Sequence, residues 1–462
     1  MSHQDHGSVD GPMQHRALRS AVEWLAGTSC WKGTQFRDRC PWRPQTLVAA
    51  ALVWAWSQET GLVDRFQAAR RIIATAFEVQ QELAGSYQAF TKMLARWTKR
   101  LLPELVRLFR GRMQQELKEM FLVSGRAVFG IDGSRLELPR TRSNEAEYAP
   151  GRPLAQRYRS RKGPRPAAAI KKGQVPQAWL TVLWHVGSRL PWAWRQGRAD
   201  ASERDHLRQM IPELPDHSLI TADAGFVGYE YWQTLLAAGH DLLIRVGANV
   251  KLLRELGYVR ERQGVVYLWP DRIAVRGRPP LVLRLVVLQG PRHPVYLVTS
   301  ILDPRELSDA QLLALYRRRW GVEVFYRSFK QTFQRRKLRS QAARHVELEL
   351  VWSLVGLWAI CLLAQHHQQP NSAEDVRTSV AQALRAIRGC LREFACPVEE
   401  GRALADLLAA AVCDHYRRAA KASRDYPRKK REHPPGPPQI HQATTKQIIA
   451  AKKLKQISSE NG

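Results

Sequence analysis

The segment Ala127-Val-Phe-Gly-Ile-Asp132 is an apolar run of strand type that ends in an acid. The shorter run Ser218–Ala222 has the same character and is followed at once by Asp223. Helical patterns lie between and after these strands, so strand and helix alternate from about residue 125 to residue 246. That alternation predicts an α/β domain.

The regions on either side of this domain have other patterns. Before it, apolar residues at three- and four-residue spacing predict helices at Ala17–Ala26, Gln45–Gln58, Leu62–Phe77 and Tyr87–Phe109, with breaks at prolines and glycines that include Pro103. After it, residues 247–302 predict an all-β insertion with strands at Val265–Trp269, Arg272–Arg276, Leu281–Leu288 and Val295–Ile301. Further helices are expected from Ser308 to about Gln334 and at Val346–Gln365, Ser372–Cys396 and Gly401–Arg418.

These patterns divide the chain into three parts. We expect a helical N-terminal domain over residues 1–120, an α/β domain over 121–370 with its β-rich insertion at 247–302, and a helical C-terminal region over 371–462. The last region ends in a basic tail that we expect to be disordered, as we do residues 1–15. Residues 140–177 are rich in Pro, Gly, Arg and Lys and predict a long loop.

The charge of the chain indicates a polyanionic partner. Its 462 residues include 72 Lys and Arg against 42 Asp and Glu, a formal charge of +30. Nucleic acid is the leading candidate, because cationic side chains release counterions from phosphates on binding. The alternative is a solvated surface in a basic proteome. Lys92, Arg96, Lys99 and Arg100 would lie on the outer face of one N-terminal helix, either on DNA or simply in solvent.

Several classes of protein are excluded. With 44% hydrophobic residues the chain is neither wholly disordered nor collagen-like. Its six cysteines are thinly spread, which argues against a disulfide scaffold, and they form no CxxC pair, which argues against a zinc ribbon and a redox motif. No secretory signal is expected in the polar N-terminal segment, and the apolar stretch Leu350–Ala364 is short for a bilayer and predicts a buried helix. We therefore expect a cytoplasmic protein without a membrane partner.

The most informative helix contains Leu315-Tyr-Arg-Arg-Arg-Trp-Gly-Val-Glu-Val-Phe-Tyr-Arg-Ser-Phe-Lys330. At about 100° per residue, one stripe within roughly 60° presents a phenol, two cations and a carboxylate: Tyr316, Arg319, Lys330 and Glu323. A separate apolar stripe anchors the helix through Val322, Phe325, Phe329 and Phe333. A metal-binding acid beside phosphate-binding cations has this form. The alternative is a solvated face with an Arg319–Glu323 ion pair.

Three acids together favour the first interpretation. Asp132 and Asp223 would lie at strand ends, where α/β sheets place their active sites, although either could be only a turn former or a helix cap. Mg²⁺ prefers a few carboxylates with water and substrate phosphate. Two such ions about 4 Å apart would suit phosphodiester chemistry with Glu323 as the third acid.

The spacing Tyr316-x2-Arg319-x3-Glu323-x6-Lys330 resembles the Y-R-E-K signature of bacterial insertion-sequence transposases in the DDE superfamily, the group called the IS four family. Asp132-Gly-Ser followed by Arg-Leu-Glu-Leu-Pro is similar to that family's first aspartate block, and Asp223-Ala-Gly-Phe to its second. The β-rich segment before Glu323 resembles the family's insertion. The resemblance covers about residues 127–335.

The resemblance implies a ribonuclease H-like catalytic core. Asp132, Asp223 and Glu323 would be catalytic and would hold two divalent ions, Mg²⁺ or Mn²⁺. Tyr316, Arg319 and Lys330 would contact DNA phosphates, and Trp320 matches an aromatic position seen in relatives. Arg327 would join them, unless it is simply solvated. Relatives also stack a flipped base on an aromatic of the insertion; the candidate is Trp269, with a core tryptophan as its alternative.

The leading hypothesis is therefore a metal-dependent DNA transposase. It would bind the terminal inverted repeats of its element as a homodimer on double-stranded DNA, cleave the ends and join the 3′-hydroxyls to target DNA. Residues 1–120 would add DNA binding, and the protein would be nucleoid-associated in a bacterial cytoplasm. Two alternatives stay open: a transposase-derived DNA-binding protein that does not cut, and a structure-selective nuclease.

Overall fold

The structure is a computed structural model, and it describes residues 13–31, 33–34, 36, 40–79, 83, 85–150, 175–289, 293–368, 377–394, 403–413 and 436–460. In these residues the helices are α1 (Met13–Ala26), α2 (Pro44–Trp56), α3 (Leu62–Ala76), α4 (Tyr87–Glu116), α5 (Lys118–Phe121), α6 (Arg142–Tyr148), α7 (Glu203–Met210), α8 (Tyr229–Ala237), α9 (Asp271–Ala274), α10 (Asp309–Arg318), α11 (Gly321–Arg327), α12 (Ala343–Gln368), α13 (Val380–Glu393), α14 (Leu404–Ala409) and α15 (Thr445–Glu460). The strands are β1 (Val128–Glu137), β2 (Gln177–His185), β3 (Leu190–Gly197), β4 (Leu219–Ala222), β5 (Asp241–Arg245), β6 (Lys251–Arg254), β7 (Val265–Leu268), β8 (Leu281–Leu288), β9 (Val295–Thr299) and β10 (Gln439–Gln442).

The described strands form one sheet with the order β10-β6-β7-β8-β9-β5-β4-β1-β2-β3. In one half of it, β4 and β5 run parallel to β1, while β2 and β3 complete an antiparallel meander. Strand β4 is buried along its whole length, as expected of a strand between two parallel neighbours. The predicted α/β domain is confirmed.

The β-rich segment continues this sheet. Strand β9 pairs antiparallel with β5, and β8, β7 and β6 follow outward from it. The predicted strand at Arg272–Arg276 is wrong, because Asp271–Ala274 forms the short helix α9. Its N-cap is Pro270 and it ends near Gly277, whose φ of +65° suits a residue without Cβ.

Helix α12 is the central helix of the core. It is long and apolar enough to cross a membrane by length and composition, but 94% of its most apolar window is buried inside the protein. The predicted buried helix is therefore confirmed as a core element. Trp352 donates its indole N–H to Thr98 Oγ1 of α4 at 3.1 Å, and Trp56 of α2 donates its own to the Gly356 carbonyl at 2.9 Å. The N-terminal helices thus share a core with α12.

Three predicted boundaries were wrong. Helix α4 continues through Pro103 and past its predicted end at Phe109 to Glu116, because buried side chains on both sides of Pro103 hold it in the same core. Strand β1 does not end at Asp132, since its register with β2 runs from Phe129 to Glu137. The helix expected from Ser308 to Gln334 is broken between Arg318 and Gly321 and ends in a π-helical turn at Ser328–Thr332.

The C-terminal tail is partly ordered, contrary to the expectation of disorder. Strand β10 pairs in parallel with the edge strand β6, and α15 follows it with Ala451 buried. Backbone hydrogen bonding to an open sheet edge accounts for this order. The rest of the predicted tail at 414–435, the loop at 151–174 and residues 1–12 lie outside the described residues. Residues 142–148 of the predicted loop form helix α6.

Candidate active site

Asp132 lies in the interior of β1, opposite Val182 of β2. The Gly133 N–H donates to Asp132 Oδ1 at 2.9 Å, and the hydroxyl of Tyr326 lies 2.9 Å from the carbonyl oxygens of both Asp132 and Leu180. Burial raises the pKa of Asp132 to about 6. The nearby charges of Asp223 and Glu323 act in the same direction, while the hydrogen bond from Gly133 and the charge of Arg319 oppose them.

Asp223 follows directly after β4, as the sequence predicted. Its Oδ1 accepts the N–H of Gly225 at 2.8 Å, which caps the single helical turn Ala224–Phe226. Because β4 is parallel to β1 and next to it, this turn emerges beside the strand that carries Asp132. Asp223 therefore does cap a turn, as the alternative interpretation holds, and it also lies beside the strand that carries Asp132.

Glu323 lies on α11, whose position is set by close packing on β2. A Cβ at Gly321 would lie 1.8 Å from the ring of Trp184, so only glycine allows this approach. Arg319 Nη2 lies 3.4 Å from Glu323 Oε1. Burial raises the pKa of Glu323; the charge of Arg319 opposes this shift, and the charge of Asp223 adds to it. The charge of Asp223 therefore raises the pKa of both Asp132 and Glu323.

The predicted cationic stripe is partly assembled around Glu323. The guanidinium of Arg319 lies 5.5 Å from the centre of the Tyr316 ring, and Arg319 is only 7% exposed. Lys330 donates from Nζ to Ser134 Oγ at 2.6 Å, two residues along β1 from Asp132. Arg327 is exposed on the same helix as Glu323 and its charge acts on that carboxylate.

Two tryptophans have opposite environments. Trp320, at the break between α10 and α11, is 55% exposed and lines a cavity of about 330 Å³ with Arg317 and Val324. Trp269 is 3% exposed, and its indole N–H donates to the Arg278 carbonyl at 2.8 Å. Trp269 is therefore a core tryptophan and is not available to stack on a base.

A fourth carboxylate, that of Glu203, packs against β1 beside Gly133 and was not predicted from the sequence. Glu203 is the first residue of α7, and burial together with the charges of Asp132 and Asp223 raises the pKa of Glu203 to about 7. The sequence marks this residue only as part of a possible helix cap. Its approach to β1 depends on packing between segments about 70 residues apart, for which a single sequence carries no signal.

The donor set can be tested for its fit to a divalent cation. Carboxylate oxygens that are partly buried and repel one another suit a hard ion such as Mg²⁺. Within the described parts of the chain, however, no group of three or more His, Cys, Asp or Glu side chains is close enough together to hold a metal ion. The carboxylates are thus the right type of ligand for a divalent cation, but Glu323 is paired with Arg319 in this structure.

Comparison with known proteins identifies the family. The model of the transposase DDE domain matches residues 124–359, which is more than half of the 462 residues, so the chain belongs to that family. The chain is also 27% identical over 241 residues to transposase InsG of insertion sequence element IS4 from Escherichia coli (strain K12). The alignment covers 50% of each protein, so the chain spans about half the length of this curated relative. The predicted resemblance is confirmed.

A solved structure with some similarity is a piggyBac transposase synaptic complex with hairpin DNA. The TM-score is 0.39 with 11% sequence identity, over 87% of this chain and 85% of that chain.

Proposed function

We propose that this protein is a DNA transposase that binds the terminal inverted repeats of its own element, cleaves the ends and joins the 3′-hydroxyls to target DNA. The observation that carries the proposal is the placement of Asp132 within β1 and of Asp223 directly after the neighbouring parallel strand β4. Glu323 lies on α11, and the Tyr326 hydroxyl of the same helix lies 2.9 Å from the Asp132 carbonyl oxygen. The strand order β3-β2-β1-β4-β5, with β4 and β5 parallel to β1, supports a ribonuclease H-like core.

The three acids would hold the divalent cations, Mg²⁺ or Mn²⁺, with Asp132 and Asp223 on the sheet and Glu323 on α11. Bound in pairs, such ions activate the attacking oxygen and stabilise the leaving oxygen of a phosphodiester. Glu323 would leave Arg319 to join the two aspartates. Arg319 would then be available to a DNA phosphate at the same place, because a guanidinium pairs equally well with a carboxylate or a phosphate.

The DNA contacts would extend from this site. The guanidinium of Arg319 lies over the ring of Tyr316, and Lys330 donates a hydrogen bond to Ser134, two residues from Asp132. Arg327, one turn after Glu323, is exposed to solvent. The exposed ring of Trp320 would take an apolar contact with DNA. These residues would position the end, since phosphate contacts fix register without reading sequence.

The N-terminal helices would add a further DNA-binding surface. On α4 the exposed side chains Lys92, Arg96, Lys99 and Arg100 form a cationic stripe, and Arg96 and Arg100 both stack on Trp97 at 5.9 and 5.4 Å. This stripe supports the proposed domain at 1–120, with the catalytic domain at 121–370 and the C-terminal region at 371–462. A homodimer would bring two ends together in a bacterial cytoplasm, near the nucleoid.

The test is cleavage of a plasmid that carries the inverted repeats flanking the coding sequence. Wild-type protein should nick the ends only when Mg²⁺ or Mn²⁺ is added. Glu323→Gln should abolish nicking and leave the affinity for the ends within about twofold of wild type, because the carboxylate is proposed to hold the cation for cleavage and does not contact DNA. Glu347→Gln, an exposed glutamate on α12, is the matched control and should cleave as wild type does. Equal cleavage by Glu323→Gln would overturn the assignment.

A second candidate function is favoured by one observation. Glu323 lies against Arg319, and the described acids do not converge as a set of three, which is what a DNA-binding protein without cleavage activity would show. Binding of the ends without nicking at any metal concentration would support it. Cleavage of branched DNA without preference for the inverted repeats would instead support a structure-selective nuclease.

A further inference from the structure

Three arginines stack on two aromatic rings on the side of the sheet that α7 covers. Arg135 of β1 is opposite Trp179 of β2 in the register, and its guanidinium lies 4.9 Å from the centre of the Trp179 ring. Arg204 and Arg208 of α7 lie 5.4 and 5.1 Å from the centre of the Tyr231 ring on α8. We call these three arginines and two rings the arginine–aromatic surface.

This surface lies on the face of β1 opposite to Arg319. Successive residues of a strand point to opposite faces of the sheet. A Cβ at Gly130 would lie 3.2 Å from Arg319 Cγ, whereas a Cβ at Gly133 would overlap the carboxylate of Glu203 on α7. Arg135 is two residues after Gly133 in a regular strand and therefore shares its face.

The surface is joined to the turn that carries Asp223. Arg204 donates from Nε to the Gly225 carbonyl at 2.8 Å, and the Gly225 N–H donates to Asp223 Oδ1 at 2.8 Å. Trp179 and Tyr231 line one open cavity of about 380 Å³ together with Arg204 and Gly225. A DNA strand at Asp223 would therefore be next to this surface.

The surface is positively charged. Arg135 is exposed and has no ion-pair partner among the described residues, and the exposed Arg208 lies 3.7 Å from Asp205. Burial, and after it the charges of the two aspartates, raise the pKa of Glu203 to about 7, so at neutral pH this carboxyl offsets the arginines only in part. Stacking on a ring orients a guanidinium and leaves its N–H donors available to a phosphate.

We propose that the arginine–aromatic surface binds phosphates of the DNA end, on the opposite face of the sheet from Arg319 and Lys330. This inference rests on the proposed function and adds a second phosphate-binding surface to it. The DNA would pass from one face to the other beyond the end of β4, which pairs with β1 only over Val128–Gly130. If the arginines only stabilised the fold, they would release no counterions from DNA.

The experiment measures binding of the full chain to a duplex that carries one inverted repeat, by fluorescence anisotropy at several salt concentrations. Arg135→Gln and Arg208→Gln should each weaken binding about fivefold and reduce the slope of log affinity against log salt by about one, because one phosphate contact is lost. Arg135→Lys keeps the charge and should keep the slope. The control is Arg305→Gln, which removes a cation that is 84% exposed and paired with Asp303, and it should match wild type.

Tyr231→Leu separates stacking from charge. It leaves Arg204 and Arg208 in place without their ring, so affinity should fall about threefold with an unchanged salt slope. Wild-type affinity and slope in both Arg135→Gln and Arg208→Gln would overturn the inference and leave the proposed function intact. An equal loss of slope in Arg305→Gln would also overturn it, because the effect would then be one of net charge. Wild-type protein that neither binds the repeat nor nicks it with Mg²⁺ would overturn the proposed function itself.

Discussion

Arg319 Nη2 lies 3.4 Å from Glu323 Oε1 across the first turn of α11, and the same guanidinium lies over the ring of Tyr316. Arg319 also packs against β1, since a Cβ at Gly130 would lie 3.2 Å from its Cγ. Its Nε is buried without a hydrogen-bond partner in the described structure. A buried cation with an unused donor is suited to bind a phosphate that enters the site.

Replacing Arg319 by Gln removes this cation and keeps a polar side chain. We expect about tenfold weaker binding of end DNA, and a reduction of about one in the slope of log affinity against log salt, because one phosphate contact is lost. Filter binding or fluorescence anisotropy at several salt concentrations measures both. Arg344→Gln, at an exposed position on α12, is the control. If the slope of log affinity against log salt were unchanged in Arg319→Gln, Arg319 would not contact a phosphate.

Gly321→Ala should disturb the helix that carries Glu323. The new methyl group would lie 1.8 Å from Trp184, so α11 has to shift or the tryptophan has to move. We expect a loss of about 1–3 kcal/mol in the free energy of unfolding, typical of overpacking, together with reduced cleavage. A second substitution, Trp184→Phe, should restore part of both.

The control for that helix position is Gly389→Ala on α13, where no atom lies within 4 Å of the added methyl group. It should stabilise the protein by roughly 0.5–1 kcal/mol through helix propensity. Chemical denaturation measures all three variants. A Gly321→Ala protein as stable and active as wild type would contradict the close approach of α11 to β2.

Arg335 joins three parts of the chain. It donates to Ser353 Oγ at 2.8 Å, to the Phe333 carbonyl at 2.6 Å and to the Ala55 carbonyl at the end of α2 at 3.0 Å. Burial, and after it the charge of Arg65, lower the pKa of Arg335 to about 9. Arg335→Met should cost about 2–4 kcal/mol, because buried acceptors lose their donors. Arg336→Met, exposed one residue later, should cost less than about 1 kcal/mol.

His185 should make the protein sensitive to acid. Burial lowers the pKa of His185 to about 4 from 6.5, so the unfolded chain takes up the proton first as the pH falls. The stability that neutral His185 contributes is complete above about pH 6.5 and is lost as the pH falls toward 4. The shift corresponds to roughly 3 kcal/mol at about 1.4 kcal/mol per pKa unit.

His185→Gln removes this titration. Its Tm should therefore fall less steeply than that of wild type between pH 6.5 and 4, even though the loss of the contact with Ser188 lowers Tm at pH 7.5. Calorimetry across this pH range measures both effects. Parallel pH profiles for the two proteins would contradict the assignment.

Local patterns in the sequence predicted the parts of the site that lie within one element. Four-residue spacing on a helix places Arg319 against Glu323. That contact survives the break before Gly321 because Arg319 and Trp320 keep right-handed helical backbone angles. The apolar run before Asp223 predicted a buried strand that ends at the acid, and β4 has this form. These predictions depend only on periodicity, which a single sequence contains.

Contacts between distant segments were not predictable. Gly133-Ser134 has the composition of a turn, but pairing with β2 carries the strand through it to Glu137. The approach of Glu203 to Gly133 depends on how α7 packs on the sheet. The order of β10 and α15 depends on the open edge that β6 provides. In each case tertiary contacts override a local preference.

We propose that Asp132, Asp223 and Glu323 form one cation-binding centre when DNA is bound. The most direct measurement is anomalous diffraction from crystals of the full chain with an uncleaved transposon end and Mn²⁺. We expect Mn²⁺ peaks ligated by the two aspartates, with the Glu323 carboxylate moved from Arg319 to the ions and Arg319 bound to a phosphate. Bound DNA with no Mn²⁺ at the aspartates, and Glu323 still paired with Arg319, would contradict it.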